Sequence, residues 1–139
     1  MFSIGKGPWF MSYTIDRQFR GEDFGKIVER TRAALGTQGF GVLTEIDVKA
    51  TLKKKLGTDV PDYLILGACN PAMAHKAMQM EPRIGAMLPC NVIVRSLGDG
   101  TVEVSAIDPP ASMAGVGNAE LQSLAGQVKE MLAKVVAAI

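Results

Sequence analysis

From Asn118 to Ile139, the residues Leu121, Leu124, Ala125, Val128, Met131, Leu132, Val135, Val136 and Ile139 fall on one face of a single helix. A stripe of that length has to be buried, and in a chain of 139 residues, long enough for one domain with one core, it marks core rather than a partner surface. Asn118 is placed to cap it. The rest of the chain must therefore supply a layer for this helix to lie on.

That layer reads as a sheet. Residues 11 to 19 alternate, with Tyr13, Ile15, Arg17 and Phe19 opposed to Thr14, Asp16 and Gln18, which predicts a strand with one wet face. From Glu22, the residues Phe24, Ile27, Val28, Ala34 and Leu35 recur at helical spacing until Gly36 and Gly39. Phe40 to Val48 alternates again, placing Phe40, Val42, Thr44, Ile46 and Val48 on one face and Leu43, Glu45 and Asp47 on the other. The lysine-rich KATLKKKLG suits a short surface helix. Tyr63 to Cys69 has no polar face and predicts a central strand covered on both sides. Asn70-Pro71 is a helix start, with the helix running to about Met80 before Pro82. Residues 88–97 and 101–107 form a hairpin about Gly98-Asp99-Gly100, Asp108-Pro109-Pro110 ends the sheet, and a glycine-rich loop leads to Asn118.

These elements predict an α+β fold, an antiparallel sheet of about five strands in the order β-α-β-β-β-β-α, with short inserted helices and the helices packed on one face. One domain is expected over residues 11–139, preceded by an N-terminal tail at 1–10. Leu66 and Ala68 are too apolar to stand in water, so the inserted helices or a second copy should cover them, and a homodimer is expected.

Several classes are disfavoured. A formal net charge of +1, with Lys and Arg scattered, lacks the footprint of a nucleic-acid binder. The opening MFSIGKGPWF is no secretory signal, and nothing approaches the run of about 20 apolar residues that crosses a membrane. A cytoplasmic protein without membrane or nucleic-acid partners is the expectation, and its two cysteines would then be thiols.

The reactive residues are concentrated. Residues 67–91 contain both cysteines, the only histidine and four of the eight methionines. If the strands ending at Cys69 and starting near Cys90 are antiparallel neighbours, the two sulfurs share one edge of the sheet; a parallel crossover would send them to opposite ends. Cys69 precedes a capped helix start, which favours a reactive thiolate. His75, a turn beyond Pro71, could reach back as a base or ligand. Cys69, His75 and Cys90 make a candidate metal set for zinc or Cu(I), with Met73, Met78, Met80 or Met87 as soft additions, although no close Cys-x-x-Cys spacing is present. Asn70 and Asn91 are candidate polar contacts for a ligand. Glu45 and Asp47, two apart on a strand, share a face and could hold a cation or do acid–base work, but the neighbouring lysines favour a salt-bridged surface. The competing reading makes the cysteines small hydrophobes and the methionines core filler. Gly115-Val116-Gly117 lacks the context of a dinucleotide fingerprint.

The words TEIDVKATLKKKLG, YLILGACNP, AHKAM, GAMLPCNVIVR and AIDPP together resemble the domain-of-unknown-function 302 family across residues 11–139. The resemblance implies a TATA-binding-protein-like α+β fold, usually a homodimer, without implying DNA binding. Its signature residues would be Glu45, Asp47, Lys55, Gly57, Cys69, Asn70, Pro71, His75, Leu88, Pro89, Cys90 and Asn91. It brings no activity and no cofactor. The expectation is a dimeric small-ligand- or metal-binding protein whose site is lined by Cys69, His75 and Cys90. The alternatives are a thiol-redox or thiol-transfer protein, with Cys69 and Cys90 as nucleophile and resolving partner, and a purely structural dimer module.

Overall fold

Each helix among the described residues begins on an Asp or Asn whose side chain accepts the backbone N–H three residues on. Asp23 takes that of Lys26, Asp47 of Ala50, Asn70 of Met73, Asp108 of Ala111 and Asn118 of Leu121. One free N–H of each first turn is thereby satisfied, a contribution of about 1 kcal/mol apiece. The structure is a computed structural model and describes residues 12–139, so the tail expected at 1–10 lies outside the described residues.

The elements run β1 (Thr14–Arg20), α1 (Phe24–Thr37), β2 (Gly41–Asp47), α2 (Val48–Leu56), β3 (Tyr63–Cys69), α3 (Pro71–Met80), β4 (Cys90–Ser96), β5 (Thr101–Ile107), α4 (Pro109–Ser112) and α5 (Ala119–Ala138), with 3₁₀ turns at Ile84–Met87 and Ala114–Val116. The five strands form one sheet in the order β1-β5-β4-β3-β2, antiparallel at every step. The α+β antiparallel architecture read from the pattern is thus the observed one. The loop expected between Asp108 and Asn118 instead contains α4 and a 3₁₀ turn, because Asp108 caps a helix that its two prolines can start.

The core lies between one face of the sheet and the helices α1 and α5. Ile27, Val28, Ala34 and Leu35 of α1 and Leu132, Val135 and Val136 of α5 close over Phe19, Leu64, Leu66, Val92, Val94, Val102, Val104 and Ala106. Full burial of each large side chain stabilises by about 1.5–3 kcal/mol, which makes this face the main source of stability. Arg17 donates to the carbonyls of Val136 and Ala137 at 3.1 and 2.9 Å while stacking 4.7 Å from the Phe19 ring centre. It thereby ties β1 to the end of α5, where carbonyls lack helical partners.

Two expectations about faces are corrected. Leu66 and Ala68 are fully buried at 0% exposure against the helices, so no second copy is needed to cover them. The face left open carries Tyr63 and Ile65 of β3 instead, and β4 rather than β3 is the middle strand. In β2 a bulge between Val42 and Thr44 adds one residue, so Glu45 and Asp47 pair with Leu66 and Leu64 on the helix side while Ile46 pairs with Ile65 on the open side. Strict alternation from Phe40 cannot anticipate that switch.

Candidate functional site

Residues of α3, the β3–β4 edge, α4 and α5 enclose a narrow cavity of about 40 Å³. Phe40, just before β2, lines it as well, and the end of β3 turns there into α3. Asn70 organises that turn: its Oδ1 accepts the Met73 N–H at 3.3 Å and its Nδ2 donates to the Gln38 carbonyl at 3.2 Å, pinning the start of α3 to the end of α1.

Both cysteines line the cavity. Ala68 pairs with Cys90, so Cys69 is one residue off register from it, as the antiparallel arrangement of neighbouring strands requires. Both are free thiols, Cys69 half-buried and Cys90 buried. Burial pushes the Cys90 thiol up to about 11, and the nearby Cys69 adds to the rise. At neutral pH Cys90 is therefore a protonated thiol and no attacking nucleophile. Apart from Asn70, the remaining walls are apolar, with Phe40, Ala74, Ala77, Leu88, Pro89, Leu121, Leu124 and Val128 contributing, and no charged side chain among the described residues lines them.

The other expected site residues are elsewhere. His75 is exposed on α3 and is not among the cavity residues, because Met73, Ala74 and Ala77 form the inward face of that helix. Among the described residues no three His, Cys, Asp or Glu side chains are grouped to hold a metal, so the Cys69, His75 and Cys90 set is not assembled. Asn91 pairs with Gly67 and faces a second, open depression on the uncovered sheet face, where Tyr63, Ile93, Arg95 and Glu103 also lie. Glu45 is ion-paired with Arg32 of α1, and Asp47 caps α2. The neighbouring lysines pair with other carboxylates, Lys49 with Asp62 at 3.6 Å and Lys53 with Asp59 at 3.1 Å. Met78 and Met87 are exposed rather than core filler.

Sequence reasoning passed over Met113, which closes the cavity from beyond α4. Its only signal was an apolar residue inside a stretch read as loop.

A family model described as "Domain of unknown function DUF302" matches residues 15–139. A solved structure, the crystal structure of an uncharacterized conserved DUF302 protein from Bacillus stearothermophilus, is similar with a TM-score of 0.85 at 24% identity, covering 92% of this chain and 98% of that one. At that identity the likeness is one of fold. The search of curated proteins gave no match. No helix among the described residues is long and apolar enough to cross a membrane.

Proposed function

Since the chain belongs to the DUF302 family, a domain of unknown function, we propose its role from the cavity itself: a binding protein that takes a small, thiophilic ligand between Cys69 and Cys90. The observation that carries this reading is the convergence of the chain's two cysteines, from separate strands, on one apolar cavity. A cavity of 40 Å³ has room for a few water-sized atoms. Nucleotide- or drug-sized ligands occupy about 300–1,000 Å³. Among the described residues that line the cavity, Cys69 and Cys90 are the groups able to bond covalently or as thiolate ligands. Native mass spectrometry of protein purified without chelator tests this. An adduct on the wild type that is lost in Cys69→Ser/Cys90→Ser supports it, and a bare-chain mass for the wild type overturns it.

A thiol-redox role is the second reading, favoured by the register alone. Opposed antiparallel Cα atoms stand about 4.5–5.5 Å apart, and one step along the strand adds about 3.3 Å, putting the two cysteine Cα atoms about 6 Å apart. A disulfide accepts that Cα separation once Cys69, the last residue of β3, turns its side chain to the face of Cys90. Counting free thiols before and after reductant decides: an unchanged count sinks it.

We also propose a homodimer through the open sheet face. Ile46, Ile65 and Ile93 stand in one row across β2, β3 and β4 with no helix of the described residues over them, Ile46 being 49% exposed. Beside them Arg95 and Glu103 present both signs of charge, which a two-fold axis can oppose to their own copies. Sedimentation equilibrium should give a dimer that Ile65→Lys converts to a monomer; a monomeric wild type rejects the proposal.

A further inference from the structure

Four sulfur-bearing side chains line the 40 Å³ cavity: Cys69 at the end of β3, Met73 in the first turn of α3, Cys90 at the start of β4 and Met113 just after α4. They come from four different elements. The remaining methionines of the region, Met78, Met80 and Met87, do not line it, and Met78 and Met87 are exposed. Of the described residues that line the cavity, only Asn70 carries another strong side-chain donor or acceptor. Both ends of its amide are already engaged, with Met73 N–H and the Gln38 carbonyl. Sulfur is the remaining side-chain donor type among the described residues that line the cavity.

We propose that Cys69, Met73, Cys90 and Met113 form an all-sulfur site for a soft monovalent cation, Cu(I) or its analogue Ag(I), so that this ion is the thiophilic ligand of the reading above, on which the proposal rests. The donor set selects the ion. Thiolate and thioether sulfur are soft ligands that favour Cu(I), whereas zinc is bound by thiolate, imidazole and carboxylate, and the latter two are absent from these walls. Hard cations such as magnesium or calcium require oxygen ligands and retain water, and the cavity offers neither the oxygens nor the space.

Charge points the same way. A monovalent ion bound by one thiolate and otherwise neutral sulfurs is a neutral unit, which apolar walls accept without the large cost of burying a net charge. No electron moves on loading: the ion enters as M⁺, a metal–sulfur bond forms, and each cysteine that ligates as thiolate releases its proton to solvent. The place of the methionines in the core does not remove them as ligands. Met113 is buried among Ala77, Leu121, Leu124 and Ala125, and Met73 packs against both hydrophobic clusters, so the cavity's own walls hold both thioethers in position.

Anaerobic titration of the reduced protein with Ag(I), and with Cu(I) against a coloured Cu(I) chelator, tests the assignment. One ion per chain is expected. Met73→Leu/Met113→Leu conserves volume and should weaken binding by about tenfold or more, since even the loss of an outer partner of a metal ligand costs that much. Met78→Leu, Met87→Leu and His75→Ala should leave affinity unchanged. X-ray absorption of the Cu(I)-loaded wild type supplies a readout free of any folding defect, with three or more sulfur neighbours and no nitrogen expected. A shell of two sulfurs, or wild-type affinity in the double methionine variant, overturns the proposal. So does displacement of the bound ion by equimolar Zn²⁺. If the wild type takes up no Ag(I) or Cu(I) but keeps a cysteine-dependent organic adduct in native mass spectrometry, this inference falls while the binding reading stands.

Discussion

Cys90 faces Ala68 across the β3–β4 ladder, and Cys69 is the next residue along, so charge on Cys69 opposes ionisation of Cys90. Burial is the larger cause of the rise from 9.0 to about 11. Because the folded state holds this proton more tightly than the unfolded chain, the associated stability is complete below pH 9 and is lost as pH rises through 11. The loss should reach about 2–3 kcal/mol. Urea unfolding between pH 8 and 11 reads it, and Cys90→Ala should flatten the profile. Alkylation at pH 8 should mark the half-buried Cys69 first, and Cys69→Ser should lower the Cys90 value only part of the way, since burial remains.

Gly67 lies in β3 where an added Cβ would run into the Thr44 side chain and come within 2.8 Å of Pro89 Cγ. Both neighbours cover this point of the open face, and the strand backbone has no slack between β2 and β4. Gly67→Ala should cost about 1–3 kcal/mol by overpacking. Thr44→Ala should recover part of that loss in the double variant and leave the Pro89 contact as the remainder. Equal denaturation midpoints for Gly67→Ala and wild type would contradict the close approach.

What could be read from the sequence follows a physical division. Helix stripes such as Leu121 to Ile139 and the hairpin about Asp99 depend on local periodicity and turn chemistry, and both are found where the pattern puts them. The neighbouring position of Cys69 and Cys90 followed from strand order alone. The covered face of β3 was not legible, because Leu64, Leu66 and Ala68 alternate with Tyr63, Ile65 and Gly67 and neither set is polar. One extra residue at the β2 bulge moved Glu45 to the helix side, where it meets Arg32, and no composition signal marks such an insertion. His75 lies outside the cavity lining for a simpler reason: a turn of helix fixes how far a residue is from Cys69 but not which way it faces.

Asn70 is the hinge between the strand that ends in Cys69 and the helix that carries Met73. Asn70→Ala removes both the cap on Met73 and the link to Gln38, and should destabilise by about 1–2 kcal/mol. Asn70→Asp retains the cap acceptor and loses only the donor to Gln38, so it should retain most of that stability. If the cavity depends on this turn, alkylation of Cys69 will be faster in Asn70→Ala than in Asn70→Asp at equal pH, measured far below the unfolding transition.

Glu45, Asp47 and His75 provide the opposite test, since each is removed from the cavity by a specific structural assignment. Asp47 Oδ1 accepts the Ala50 N–H at 2.9 Å, so Asp47→Ala should cost about 1 kcal/mol as a lost cap. Glu45 is half-exposed in its pair with Arg32, and Glu45→Gln should change stability by no more than about 1 kcal/mol. His75→Ala alters an exposed side chain outside the cavity lining and should be neutral within about 0.5 kcal/mol. None of these substitutions should change the alkylation rate of Cys69 or Cys90. A His75→Ala variant in which Cys69 reacts markedly more slowly would return the histidine to the site and require α3 to turn it inward.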